Sequence, residues 1–148
     1  MVTINPQTDY FQGDPKLFIG SDGAYIIYVN GQPIMEQGIE NQILIALFTQ
    51  PGWCGNALLK NENHKIGSDF MDAHIQPINM STLNSIRLAA QRALKSDIFG
   101  DVSVLVENPV ANKVRTTITV RSKFYEPKQL IVIKFGMDWV IQLNTLIK

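Results

Sequence analysis

Apolar and polar positions alternate most regularly in the second half of the chain, and this alternation predicts a β-sheet. One face of the strand Val114–Tyr125 would carry Val114, Thr116, Ile118, Val120 and Phe124, and the other Arg115, Thr117, Thr119, Arg121 and Lys123. A period of two is typical of a strand with one buried and one exposed face. A strand at Val102–Val106 precedes it, with a turn at Asn108-Pro109. Leu130–Phe135 follows the turn Glu126-Pro127-Lys128 and is apolar at most positions, which predicts cover on both faces.

Two helices are predicted in the middle of the chain. Ile39–Phe48 has apolar residues at three- and four-residue spacing, and Pro51 would end it because proline restricts the residue before it. A longer helix is predicted from Asn79 or Ser81 to Phe99, with Gly100 just beyond its end. Its buried stripe would consist of Leu83, Ile86, Ala90, Ala93 and Leu94.

The two ends of the chain differ in character. Residues 1–16 are polar and predict an extended N-terminal arm, after which Leu17–Ile19 and Tyr25–Val29 predict a hairpin and Asn30-Gly31 a tight turn. Residues 137–148 form an apolar C-terminal tail, for which helix and strand both stay open. The pattern therefore predicts one α+β domain over 1–148, with two main helices on an antiparallel sheet, an N-terminal hairpin and a C-terminal β-meander.

Composition argues against binding to nucleic acid or membrane. The 148 residues contain 13 basic and 13 acidic side chains, so the formal net charge is zero. Nucleic-acid binding depends on clustered basic side chains, and the basic strand positions Arg115, Arg121 and Lys123 lack interleaved aromatic residues. No apolar run approaches the roughly 20 residues that span a bilayer, and the N-terminus does not resemble a signal peptide. We expect a protein made in the cytoplasm.

Few residues are candidates for chemistry. Cys54 is the single cysteine, and it could pair with His64 or His74 as a nucleophile and base. His64, Asp69, Asp72 and His74 could bind a metal, but their spacing matches no standard zinc pattern. The sequence therefore predicts no catalytic residue, no metal and no cofactor. A small metal-dependent or Cys/His hydrolase that uses Cys54, His64, Asp72 and His74 is the alternative.

Trp53 is the most conspicuous single residue. It lies between Pro51-Gly52 and Gly55-Asn56, where the backbone is expected to turn tightly. A tryptophan there could close the loop over the core, or it could anchor a protein interface, where tryptophan is enriched. The sequence leaves both interpretations open.

Three short segments resemble one known family. They are Ile43–Thr49, then Gly52-Trp53-Cys54-Gly55, and then Ile66-Gly67-Ser68. Together they resemble the Mu-like phage "protein forty-six" family, which is related to baseplate wedge and sheath-initiator proteins of contractile tails. The residues that carry the motif are Leu47, Phe48, Pro51, Gly52, Trp53, Gly55, Gly67 and Ser68. The chain departs from the family pattern at Cys54, where the family has a second tryptophan, and at Asp69-Phe70, where it has Arg-Leu-Trp.

The resemblance implies a structural role in the virion. Such a protein would nucleate the tail sheath at the tube by β-strand addition. Its partners would be other wedge proteins, the sheath and, as a further candidate, the tube, with several copies in a six-fold assembly. The predicted interface residues are Trp53, Arg115, Arg121, Lys123, Ile131, Ile133, Phe135, Trp139 and Ile141. On this hypothesis, deletion of Gly136–Lys148 leaves a soluble fold that no longer supports sheath assembly.

Overall fold

The fold is α+β, as the sequence predicts. The computed structural model describes residues 14–20, 23–36, 39–50, 52, 54–60 and 67–146. Within these ranges the helices are α1 (Glu40–Phe48), α2 (Phe70–Ala73) and α3 (Met80–Ala93), with 3-10 helices at Cys54–Leu58 and Asp97–Phe99. The strands are β1 (Asp14–Pro15), β2 (Leu17–Gly20), β3 (Gly23–Ile26), β4 (Tyr28–Val29), β5 (Gln32–Pro33), β6 (Met35–Glu36), β7 (Asp101–Val110), β8 (Lys113–Arg121), β9 (Lys128–Phe135) and β10 (Asp138–Thr145).

The C-terminal strands form one antiparallel sheet in the order β10-β9-β8-β7. Each strand pairs with the next along the chain, so the sheet is the predicted meander. Its inner face carries buried Val114, Thr116, Ile118, Val120, Leu130 and Val132. These side chains belong to the same hydrophobic cluster as the buried residues of α1 and α3. The helices therefore cover one face of the sheet.

Helix α1 is fixed to the N-terminal strands by two buried polar side chains. The Glu36 carboxylate accepts a hydrogen bond from the Asn41 backbone N–H at 3.0 Å, and so satisfies a free donor of the first helical turn. The Asn41 side chain accepts from the Leu17 N–H and donates to the Pro15 carbonyl, both at 2.8 Å. Residues 14–16 of the predicted N-terminal arm are thus held against the fold, whereas residues 1–13 lie outside the described ranges.

Helix α3 begins as predicted but ends earlier. The Asn79 side chain caps it by accepting from the Thr82 N–H. The helix ends at Ala93, and a separate 3-10 helix covers the last predicted turn. Leu94 and Phe99 are both buried. Five residues apart in one straight helix, they would point about 140° away from each other. The break lets both side chains reach the core.

The turn between β7 and β8 lies later than predicted. The ladder continues past Asn108-Pro109 with a bulge between Glu107 and Val110, and the chain turns at residues 111–112. The Asn108 side chain closes the bulge by donating to the carbonyls of Val110 and Lys113. Proline needs no ladder partner for its nitrogen, which makes a bulge at an edge strand a suitable place for it.

Strand β8 ends at Arg121, before the predicted Tyr125. The Ser122 hydroxyl donates to the Ile98 carbonyl and accepts from the Phe124 N–H, so the chain leaves the sheet there. Phe124, predicted to face the core, is instead 74% exposed. The predicted turn residue Lys128 is the buried first residue of β9.

The described part of the apolar tail forms a strand, β10, at Asp138–Thr145. β10 pairs with β9 along its whole length, and Trp139, Ile141 and Leu143 pack against the core cluster. Because these three side chains pack on the core, we expect that deletion of Gly136–Lys148 destabilises the fold, in contrast to the prediction made from the sequence. None of the helices in the described ranges is long and apolar enough to cross a bilayer.

Candidate functional site: the free edge and outer face of the sheet

Strand β10 presents a free hydrogen-bonding edge. A two-residue turn joins Phe135 to Asp138, so these two residues exchange both backbone hydrogen bonds. The ladder then alternates, and the backbone groups of Trp139, Ile141 and Leu143 point away from β9. No other described strand pairs with β10. The backbone groups of Thr145 at the end of the strand also point away from β9, so four N–H and four C=O groups point towards the position of an added strand.

The N-terminal hairpin borders this edge without joining it. Side chains from both sides of the gap line a cavity of about 150 Å³, and they include Phe18, Tyr25, Ile141 and Leu143. The rings of Phe18 and Tyr25 stack at 5.8 Å between centroids. The hairpin is a separate two-stranded sheet, so a strand added to β10 would lie beside it.

The outer face of the sheet carries an apolar patch that no described element covers. The outer patch consists of Leu105, Ile131, Ile133, Phe135 and Val140. The strand registers place Val140 directly opposite Ile133, whereas Thr117 of β8 lies between Leu105 and Ile131. Leu105 is 57% exposed, Phe135 54% and Val140 59%, while Ile131 and Ile133 are half-buried. The expectation that Leu130–Phe135 is covered on both faces is therefore wrong for this face.

Charged residues flank the outer patch. The Arg115 guanidinium lies 3.1 Å from the Glu107 carboxylate on the neighbouring strand. Arg121 stands opposite Asp101 in the β7–β8 register. Lys123 lies beyond the end of β8 and is exposed. The predicted basic face is thus balanced by acids from β7, a pattern that suits a protein partner better than a polyanion.

Trp139 and Ile141 are positioned differently from the other predicted interface residues, because their side chains face inward. The Trp139 ring packs edge-on against Phe48 at 6.0 Å and against His74 at 4.8 Å between centroids. Only the backbone of these two residues is turned to the free edge. A partner would therefore recognise their main chain.

His74 is buried beside this aromatic group. Its Nδ1 lies 2.6 Å from the Phe70 carbonyl, and its Nε2 has no hydrogen-bond partner among the described residues. Burial lowers the pKa of His74 to about 4, against the opposing effect of the Phe70 carbonyl, and the nearby Lys134 lowers it further. At neutral pH the imidazole is uncharged and acts as a packing side chain.

The motif residues that can be described have architectural positions. Leu47 is fully buried, and the Phe48 ring contacts Phe70 edge-on. The Ser68 N–H donates to the Thr49 carbonyl at 2.8 Å, and the Ser68 hydroxyl accepts from the Phe70 N–H. The Leu-Phe-Thr and Gly-Ser segments of the motif are thus joined directly.

The rest of the motif surrounds the loop after α1. Gly52 lies in a turn and Gly55 in the first 3-10 helix. Gly67 directly precedes Ser68. Pro51 and Trp53 lie outside the described residues, so both interpretations of Trp53 stay predictions.

The described residues of the alternative hydrolase site are not grouped together. Cys54 is exposed in the first 3-10 helix, and Asp69 and Asp72 are exposed around α2. His74, in contrast, is buried in the aromatic group. Within the described ranges no three His, Cys, Asp or Glu residues are grouped as metal ligands. His64 lies outside those ranges.

Leu105 and Val140 belong to the outer patch but were not among the predicted interface residues. The alternation in β7 and β10 puts both on the outer face, so the period of two could have indicated them. The registers that place Val140 opposite Ile133, and Leu105 opposite Thr117, cannot be predicted from either segment alone. The chain matches no protein family, no curated protein and no solved structure with which we compared it.

Proposed function

We propose that this chain is a non-enzymatic structural protein of a contractile phage tail, placed in the baseplate wedge and acting as a sheath initiator. The motif at Leu47–Ser68 supports the assignment to the baseplate of a contractile tail. The free edge of β10 supports assembly by β-strand addition, because it offers main-chain donors and acceptors to an extended segment of another chain.

The edge of β10 is the observation that carries the proposal. The strand keeps one register over all eight residues, from Asp138 opposite Phe135 to Thr145 opposite Lys128. It contains no proline, lysine, arginine or bulge, which are the usual features that protect an edge from strand addition. An unprotected edge of this length suits a protein that receives a strand during assembly.

The outer patch supports the same function. Four of its five side chains lie on β9 and β10, so a partner that adds a strand to β10 can also cover Ile133, Phe135 and Val140. Main-chain hydrogen bonds would provide the affinity and the patch would select among partners. The partners we propose are the tail sheath, neighbouring wedge proteins and the tube.

Leu143 offers a direct test. Leu143→Pro removes an outward N–H that the β9–β10 ladder does not use, and Leu143→Ala is the matched control that shortens the side chain but keeps the N–H. Both variants are introduced into a phage that lacks the wild-type gene, and sheathed tails are counted by electron microscopy. We expect Leu143→Ala to restore sheathed tails and Leu143→Pro to leave bare tubes. Normal sheaths with Leu143→Pro would contradict the proposal, provided that circular dichroism shows both variants folded.

A further inference from the structure

A second candidate site lies at the opposite end of the sheet from the outer patch. A cavity of about 600 Å³ opens between the N-terminal strands, the start of α1 and the loop 122–127. Its lining residues are Lys16, Ile34, Met35, Glu36, Glu40, Phe124, Tyr125, Glu126 and Lys128. This volume falls within the range of pockets that bind small ligands or side chains.

The residues around the cavity carry more negative than positive charge. Lys128 and Lys16 both bind the Glu40 carboxylate, at 3.0 and 3.4 Å. Glu36 and Glu126 have no cation partner among the described residues. Asp14 stands directly opposite Glu36 in the β1–β6 register. The cavity region therefore has an excess of negative charge in a chain whose net charge is zero.

Glu36 is the most informative of these acids. It is more than nine-tenths buried, and its carboxylate accepts hydrogen bonds from the backbone N–H groups of Asn41 and Glu40 but has no counter-ion among the described residues. Burial raises the pKa of Glu36, the hydrogen bonds from the backbone of Asn41 and Glu40 oppose the rise, and repulsion from Glu40 and Asp14 adds to it. A buried carboxylate without a counter-ion is costly, and a cation that entered the cavity would reduce that cost.

Two aromatic side chains line the cavity beside the acidic residues. Phe124 is 74% exposed and Tyr125 is half-buried, and both line the cavity next to Glu126. An exposed phenylalanine beside a carboxylate favours a flat cation, because a guanidinium can stack on the ring and form two parallel hydrogen bonds with the acid. An ammonium group cannot satisfy both contacts in this way.

We infer that this cavity binds a guanidinium group, namely an arginine side chain of a partner protein, with Glu36 and Glu126 as its acceptors and Phe124 as its stacking surface. The inference concerns a surface distinct from the β10 edge. It stands or fails independently of the proposed role in sheath assembly, because binding is measured with a small probe.

The probe is N-acetyl-L-argininamide, titrated into the full chain and followed by NMR. We expect saturable shifts at Glu36, Phe124 and Tyr125 with a dissociation constant of about 1–10 mM, as for a weak single-group ligand. N-acetyl-L-citrullinamide has the same shape without the charge and should give no saturable shift. N-acetyl-L-lysinamide should bind at least about threefold more weakly, since an ammonium group cannot stack on the ring and also form two parallel hydrogen bonds with a carboxylate.

Variants separate the site from general charge effects. Glu36→Gln should weaken binding about tenfold, and Glu126→Gln about two- to threefold because that residue is exposed. The exposed position of Glu126 makes its variant safe for the fold. Glu107→Gln, at the other end of the sheet, is the matched control and should bind normally. Absence of saturable shifts up to 50 mM, equal binding of the citrulline probe, or full binding by both Glu36→Gln and Glu126→Gln would overturn the inference.

Discussion

The two edges of the four-stranded sheet are built in opposite ways. At the β7 edge the ladder is interrupted by a bulge between Glu107 and Val110 that contains Pro109, and α3 packs against this strand. At the β10 edge the ladder is regular over eight residues, and no described strand or helix is paired with it. Natural sheets protect edges with such bulges and prolines to avoid unwanted strand pairing. This difference is what we expect if β10 receives a strand from a partner, as proposed.

Removal of β10 should have the largest effect. Deletion of Gly136–Lys148 takes Trp139, Ile141 and Leu143 from the core and turns β9 into a new edge. We expect the free energy of unfolding to fall by at least about 5 kcal/mol, which is close to the whole stability of a small domain. Circular dichroism during thermal unfolding would measure it. A truncated chain with an unchanged cooperative transition would show that β10 is an appendage.

The glycines that precede the two edge strands should respond differently to alanine. At Gly100, before β7, φ is +62° and an added Cβ would lie 2.5 Å from the Arg121 carbonyl oxygen. At Gly136, before β10, φ is +61° but the space is open. We expect Gly100→Ala to cost about 3–5 kcal/mol and Gly136→Ala about 1 kcal/mol in urea unfolding. Similar costs at both sites would contradict the packing described at the start of β7.

His74 should make the stability of the β10 side of the core depend on pH. Its pKa is about 4 in the folded chain, against an ordinary 6.5, so the unfolded chain binds more protons between these values. The contribution of His74 to the free energy of unfolding is therefore complete above pH 6.5. It declines as the pH falls towards 4, by about 3 kcal/mol in total.

A matched variant isolates this effect from the titrating carboxylates. Asn in His74→Asn can still donate to the Phe70 carbonyl but does not titrate. Urea unfolding at several pH values should show a shallower loss of stability for the variant between pH 6.5 and 4. Parallel curves for the two proteins would rule out the assignment to His74. Glu36 acts in the opposite sense, because a raised acid pKa lowers stability as the pH rises.

The smallest expected effect lies at the centre of the sheet, between the two edges. Thr116 is fully buried, and its hydroxyl has no hydrogen-bond partner among the described residues. Thr116→Val removes this unsatisfied group at nearly constant volume and should stabilise the chain by about 1 kcal/mol. Thr117→Val on the outer face is the control and should change the free energy of unfolding very little. A destabilised Thr116→Val would mean that the hydroxyl is needed.

The fold was largely predictable, because periodicity is a local signal. The strict alternation at Val114–Val120 and the helical spacing at Ile39–Phe48 placed the central strand and the first helix correctly. The errors lie at boundaries that distant contacts decide. The early end of α3 depends on where Leu94 and Phe99 meet the core, and the end of β8 depends on the hydrogen bond from Ser122 to Ile98.

The candidate site was only partly predictable. Ile131, Ile133 and Phe135 were expected to be interface residues and lie on the outer patch, whereas the side chains of Trp139 and Ile141 pack inside. When a strand of eight residues is apolar at most positions, its sequence does not indicate which face packs against the helices. The cavity proposed to bind a guanidinium group escaped prediction because Glu36 is far in sequence from Phe124 and Glu126, and only the fold brings them together.

Hydrogen exchange at the β10 edge addresses the function most directly. In the isolated chain the amides of Trp139 and Ile141 should exchange rapidly, since they point away from β9, while those of Val140 and Gln142 should be protected by the ladder. In assembled tails that are exchanged, quenched and then read by NMR, we expect the Trp139 and Ile141 amides to become protected by at least about 100-fold. Equally rapid exchange of these two amides in the isolated and the assembled protein would contradict strand addition at β10.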